Sequence, residues 1–147
     1  MADYDLFQKI VKALALGEGA NARELISQMR EDEQKDYAVF VAAAFTELAG
    51  ELFDKDHGLV AIKGFVDEMA HAYRSSNPPI KPIAMEALIR ALFYEDQSLD
   101  EVSPEEQLRL QTMALRMIVH KSAEIHAQLD LHLAEAKSLA MEWLSEA

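Results

Sequence analysis

The residues best spaced for chemistry are Glu68 and His71, an E-x-x-H pair within Glu68-Met69-Ala70-His71. Three residues turn a helix by about 300°, so carboxylate and imidazole would sit on adjoining edges of one face. Carboxylate-bridged dimetal bundles use two such pairs plus a glutamate from each of two other helices, because two divalent ions need four anionic bridges or caps. Glu47 or Glu51, together with Glu86, could serve as the lone glutamates. The second E-x-x-H is missing, and its nearest substitute, His120 with Glu124, has i, i+4 spacing. Glu68 and His71 therefore stand as candidate metal ligands, against the plainer reading of a surface pair beside Asp67.

Other clusters carry less. His120, His126 and His132 recur every six residues, which spreads successive rings about 240° around a continuous helix and prevents them from sharing one ion. They read as exposed or helix-edge histidines. An EF-hand loop needs oxygen ligands at positions 1, 3 and 5, glycine at 6 and glutamate at 12. Counted from Asp54, position 6 is Leu59 and position 12 is Phe65; counted from Asp96, they are Glu101 and Gln107. Both loops fail. No G-x-S-x-G elbow or glycine-rich phosphate loop occurs, so no catalytic residue and no cofactor is assigned. Glu95, Asp96, Asp100, Glu101, Glu105 and Glu106 form a run with no Lys or Arg between Arg90 and Arg109. Such a run can steer a basic partner or act as an acidic decoy for one, although negative charge also suits the start of the helix that follows.

The elements that must position these residues are helical throughout. Leu6, Phe7, Ile10, Val11 and Leu14 recur with a period near 3.6 and place a helix over about 3–16, with Gly17 at its C′ position. Similar stripes place helices ending near Arg30, over about 33–54, over about 59–74 and from Pro82 to about Tyr94. Gly64, inside the helix over about 59–74, implies close packing or a bend. The polar, proline-rich stretch 75–82 is the clearest break and a candidate hinge. Ser103-Pro104-Glu105-Glu106 combines an N-cap serine, an N1 proline and a glutamate at N3. After Pro104 no glycine or proline occurs to Ala147. As one straight helix from Ser103 the segment would run about 66 Å. A compact domain of this size has a radius of gyration of only about 15 Å, so the segment must bend near 119–124 or protrude to a partner.

No alternating strand pattern or hairpin turn competes, and the expected fold is all-α: one domain over 1–147, an irregular bundle of six or seven helices with a long C-terminal helical segment. A short α-solenoid is the alternative. The 147 residues are half apolar, enough for one core without staples. No cysteine is present, which excludes disulfides, thiol catalysis and Cys-ligated metals, and fits a reducing cytoplasm. With 14 Lys+Arg against 26 Asp+Glu the net charge is −12, which repels phosphate backbones and anionic lipids, so neither nucleic acid nor membrane is an expected partner. The longest apolar run, Tyr37 to Phe45, is too short to cross a bilayer. What remains is a cytoplasmic interaction protein, expected to pair as a homodimer through Ile125, Leu129, Leu133 and Trp143 of the C-terminal segment. A metal-binding helical enzyme built on Glu68 and His71 is the competing class.

Overall fold

A computed structural model describes residues 2–94 and 97–146. It is all-helical, with no strand among those residues. Among the described residues there are eight α-helices: α1 (Tyr4–Ala15), α2 (Gly19–Ile26), α3 (Gln34–Leu52), α4 (Leu59–Ala72), α5 (Pro82–Arg90), α6 (Pro104–Lys121), α7 (Ala123–Ala127) and α8 (Leu129–Ser145). Short 3₁₀ turns occupy Glu31–Glu33 and Gln97–Glu101. Helix α3 lies at the centre, packed chiefly on α8 and α6; α1 packs on α2, α6 and α8, while α4 and α5 form a hairpin carried on α6 through α5. The packing is bundle-like.

Two more helices than the lower expected count come from the C-terminal segment, which breaks twice. Ser122 leaves helical geometry (φ −117°, ψ 107°), and its hydroxyl accepts a hydrogen bond from Ile125 N at 3.2 Å, capping α7. The second break is at Gln128 (φ −111°, ψ 22°). These turns fold α8 back onto α3 and α1, so the segment is neither one helix nor a protrusion. The break falls inside the expected window because a serine there can satisfy the amides of a new helix start.

Other sequence signals map directly onto backbone chemistry. Gly17 has φ +76°, a left-handed conformation that L side chains rarely adopt, and a Cβ there would also meet the Arg116 guanidinium at 2.8 Å. Glu18 N donates to Ala13 O at 2.8 Å, closing the wide bond of a glycine-terminated helix. Ser103 Oγ accepts from Glu106 N at 3.2 Å with Pro104 at N1, while the Glu106 carboxylate turns to Arg109 at 3.3 Å. Gly64 is exposed with nothing packed within 4 Å of a would-be Cβ, so of the two alternatives, close packing or a bend, close packing is absent.

The core is aromatic at one end, where Phe7 meets Tyr37 at 5.6 Å and Phe40 at 6.1 Å between ring centroids. Between α3 and α8 it becomes small: Ala43, Ala44, Ala136 and Ala140 are fully buried, which lets the two backbones approach closely. The stretch 75–82 is tied down, with Ile80 buried, the Arg109 guanidinium donating to Pro78 O, and Tyr73 Oη donating to Met113 O at 3.1 Å. Glu33, almost fully buried, accepts from Arg30 N at 3.0 Å and Asp3 N at 3.1 Å, joining the start of α1 to the start of α3. The Arg30 amide, helped by the Asp3 amide and the Arg30 charge, holds this carboxyl below its ordinary range although burial pulls the other way.

Candidate functional site

Glu68 and His71 each have a basic neighbour. Both Glu68 oxygens are taken by Lys121 Nζ, at 3.0 and 2.9 Å, and the His71 ring lies 3.5 Å from Arg74 Nη1. Both residues are exposed on α4. A cation beside each of them disfavours a second cation, and the pair is a surface one.

The apolar residues expected to form a dimer contact are already spent. Ile125, Leu129 and Leu133 are 2%, 3% and 1% exposed in the chain's own core, and Trp143 is half-buried against it. They became internal because the breaks at Ser122 and Gln128 return α8 to the bundle. Of the acidic run, Glu95 and Asp96 lie outside the described residues; Asp100, Glu101 and Glu105 are exposed, and Glu106 is half-buried with Arg109. His120 and His126 are exposed as expected, but His132 is not at a helix edge: it is buried on the inner face of α8.

That burial builds the site the sequence reading missed. His132 and Glu135, three residues apart on α8, face Glu47 on α3, and one donor atom from each lies within 4.8 Å of the others. Among the described residues no other such group of three metal-ligating side chains occurs. His132 is 8% exposed, its Nδ1 is buried without a hydrogen-bond partner, Glu47 is half-buried and Glu135 faces solvent. Burial first, then a hydrogen bond with Glu135 and the charges of Glu135 and Glu51, push the Glu47 carboxyl above its ordinary range. Two carboxyl groups thus share a site that charge repulsion opposes. Glu51, one turn beyond Glu47, lines an open groove of about 250 Å³ with Lys55, Ser122 and Glu124. Glu47 had been named as a lone glutamate; what was missed is that His-x-x-Glu puts its two donors on one face as well as Glu-x-x-His does.

The outer face of α8 has a different character. Leu131, Ala134, Ser138 and Met141 follow one another at intervals of three and four residues and are all exposed, Leu131 at 55% and Met141 at 50%. The four residues are themselves uncharged, with exposed Glu135 and Glu142 along one edge, each one turn on from Leu131 and Ser138 respectively. Two other exposed aliphatics stand singly among charges: Val60 is followed on its face by exposed Lys63 and Asp67, and Ile83 by Glu86 one turn on.

No helix among the described residues is long and apolar enough to cross a membrane. Comparison of the chain with protein-family models, curated proteins and solved structures returned no match.

Proposed function

We propose that this chain is a non-enzymatic helical protein–protein interaction module of the cytoplasm that self-associates through its C-terminal helical segment, using the outer face of α8. The observation that carries this reading is the uncharged seam Leu131, Ala134, Ser138 and Met141 on a chain of net charge −12. Spacing of three and four residues is the pattern by which two helices pair, and the small residues at 134 and 138 admit a neighbouring helix closely. The helix is already ordered by its inner face, so pairing does not have to nucleate it.

Two half-exposed large side chains per protomer contribute about 1 kcal/mol each on full burial, so the dimer is weak and fills at high concentration. Repulsion between two acidic chains opposes it. Added salt therefore strengthens the dimer, whereas it would weaken an acidic decoy's grip on a basic partner. Among the described residues the decoy reading rests on exposed Asp100, Glu101 and Glu105.

Sedimentation equilibrium over a wide concentration range tests the proposal. The full chain is expected to shift toward dimer with concentration and with salt; Leu131→Glu and Met141→Glu are expected to stay monomeric, and Val60→Glu to behave as the parent. A parent chain that remains monomeric at millimolar concentration, or seam variants that dimerise as well as it does, would overturn the reading.

A further inference from the structure

We infer that Glu47, His132 and Glu135 form a binding site for one divalent transition-metal cation of the zinc class, joining α3 to α8. The inference is independent of the seam on the outer face of the same helix. Three donors from two helices approach to within 4.8 Å of one another. Around an ion at about 2.0 to 2.2 Å from each ligand, donors lie no more than about 4.4 Å apart. A small side-chain adjustment closes the remainder, and the solvent-facing Glu135 has room to make one.

The imidazole is the deciding group. A buried ring nitrogen without a hydrogen bond is costly, and His132 Nδ1 is in that position on the inner face of α8. Either an unmet cost or a bound group accounts for it, and the carboxylates grouped with the ring supply the negative charge that a cation would balance. One nitrogen and two carboxylate oxygens suit zinc, manganese, iron or cobalt; an all-oxygen set would have pointed to calcium or magnesium instead. Three protein donors, one of them at the surface, leave a position open to water. A neighbouring acid fits the same charge logic: Glu51 adds negative potential one turn from Glu47.

The test uses the full chain, purified with chelator and then dialysed against zinc chloride or cobalt chloride. The parent is expected to retain one zinc per chain, to unfold at higher temperature with zinc than without it, and to give a cobalt visible spectrum of nitrogen–oxygen ligation. Glu47→Gln and Glu135→Gln are each expected to lose at least tenfold in zinc affinity and the thermal gain with it, while circular dichroism shows an unchanged helical content. Both variants keep the side-chain shape, and Glu135 faces solvent, so neither should prevent folding; His132→Gln serves as a third test where it folds. Magnesium and calcium at the same concentration are expected to leave the unfolding temperature where it was. Absence of retained zinc overturns the inference, as does wild-type affinity in both glutamine variants, which would place the ion on exposed His71, His120 or His126. Equal stabilisation by calcium overturns the assignment to the zinc class.

Discussion

Leu131 and Leu133 stand two residues apart on α8, one 55% and the other 1% exposed, and the same substitution at each should have very unequal consequences. Leu133→Ala removes three fully buried carbons, about 2 to 2.5 kcal/mol of transfer free energy at about 0.8 kcal/mol each. The space they leave adds to this, since the close-packed α3–α8 contact can collapse only partly; buried Leu→Ala losses run from about 2.7 to 5.0 kcal/mol. A loss of about 3 kcal/mol corresponds to a fall in Tm of about 6 to 12 °C for a domain of this size. Leu131→Ala opens no cavity, forfeits only part of a transfer term and places the best helix former in a helix, so its cost should stay below about 1 kcal/mol. Urea unfolding followed by far-ultraviolet circular dichroism, at concentrations dilute enough to keep the chain monomeric, measures both. Comparable losses at the two positions would mean that α8 does not present the inner and outer faces described.

Glu33 makes stability depend on acid: its folded carboxyl titrates below its unfolded value, so its contribution is complete above the ordinary glutamate range, about pH 4, and disappears as pH falls toward the folded value. Denaturant midpoints should therefore decline more steeply with acidification in the parent than in Glu33→Gln, and parallel curves would refute the assignment. Ser122→Ala deprives Ile125 N of its cap at 3.2 Å and places a strong helix former at the break between α6 and α7. A loss of about 1 kcal/mol in urea unfolding is expected, and no loss would show that the break owes nothing to the serine hydroxyl.

Much of the backbone plan is written locally. The left-handed turn at Gly17, the Ser103-Pro104 start of α6 and the stop near residue 122 each depend on a residue whose chemistry acts within one turn, so they can be read without knowing the fold. The all-α class follows from periodicity, which is equally local. A stripe of apolar residues, however, states only that a face will be covered. Ile125, Leu129 and Leu133 carry such a stripe, and nothing in their spacing distinguishes cover by α3 from cover by a second chain.

That choice was made by tertiary packing. The short turns at Ser122 and Gln128 bring α8 back against alanines on α3, and this single act buries the expected contact, exposes Leu131 and Met141, and sets His132 beside Glu47, 85 positions earlier in the chain. Composition, periodicity and caps belong to the sequence because their forces reach a few residues; ligand convergence belongs to the fold because two helices distant in sequence must first share an interface.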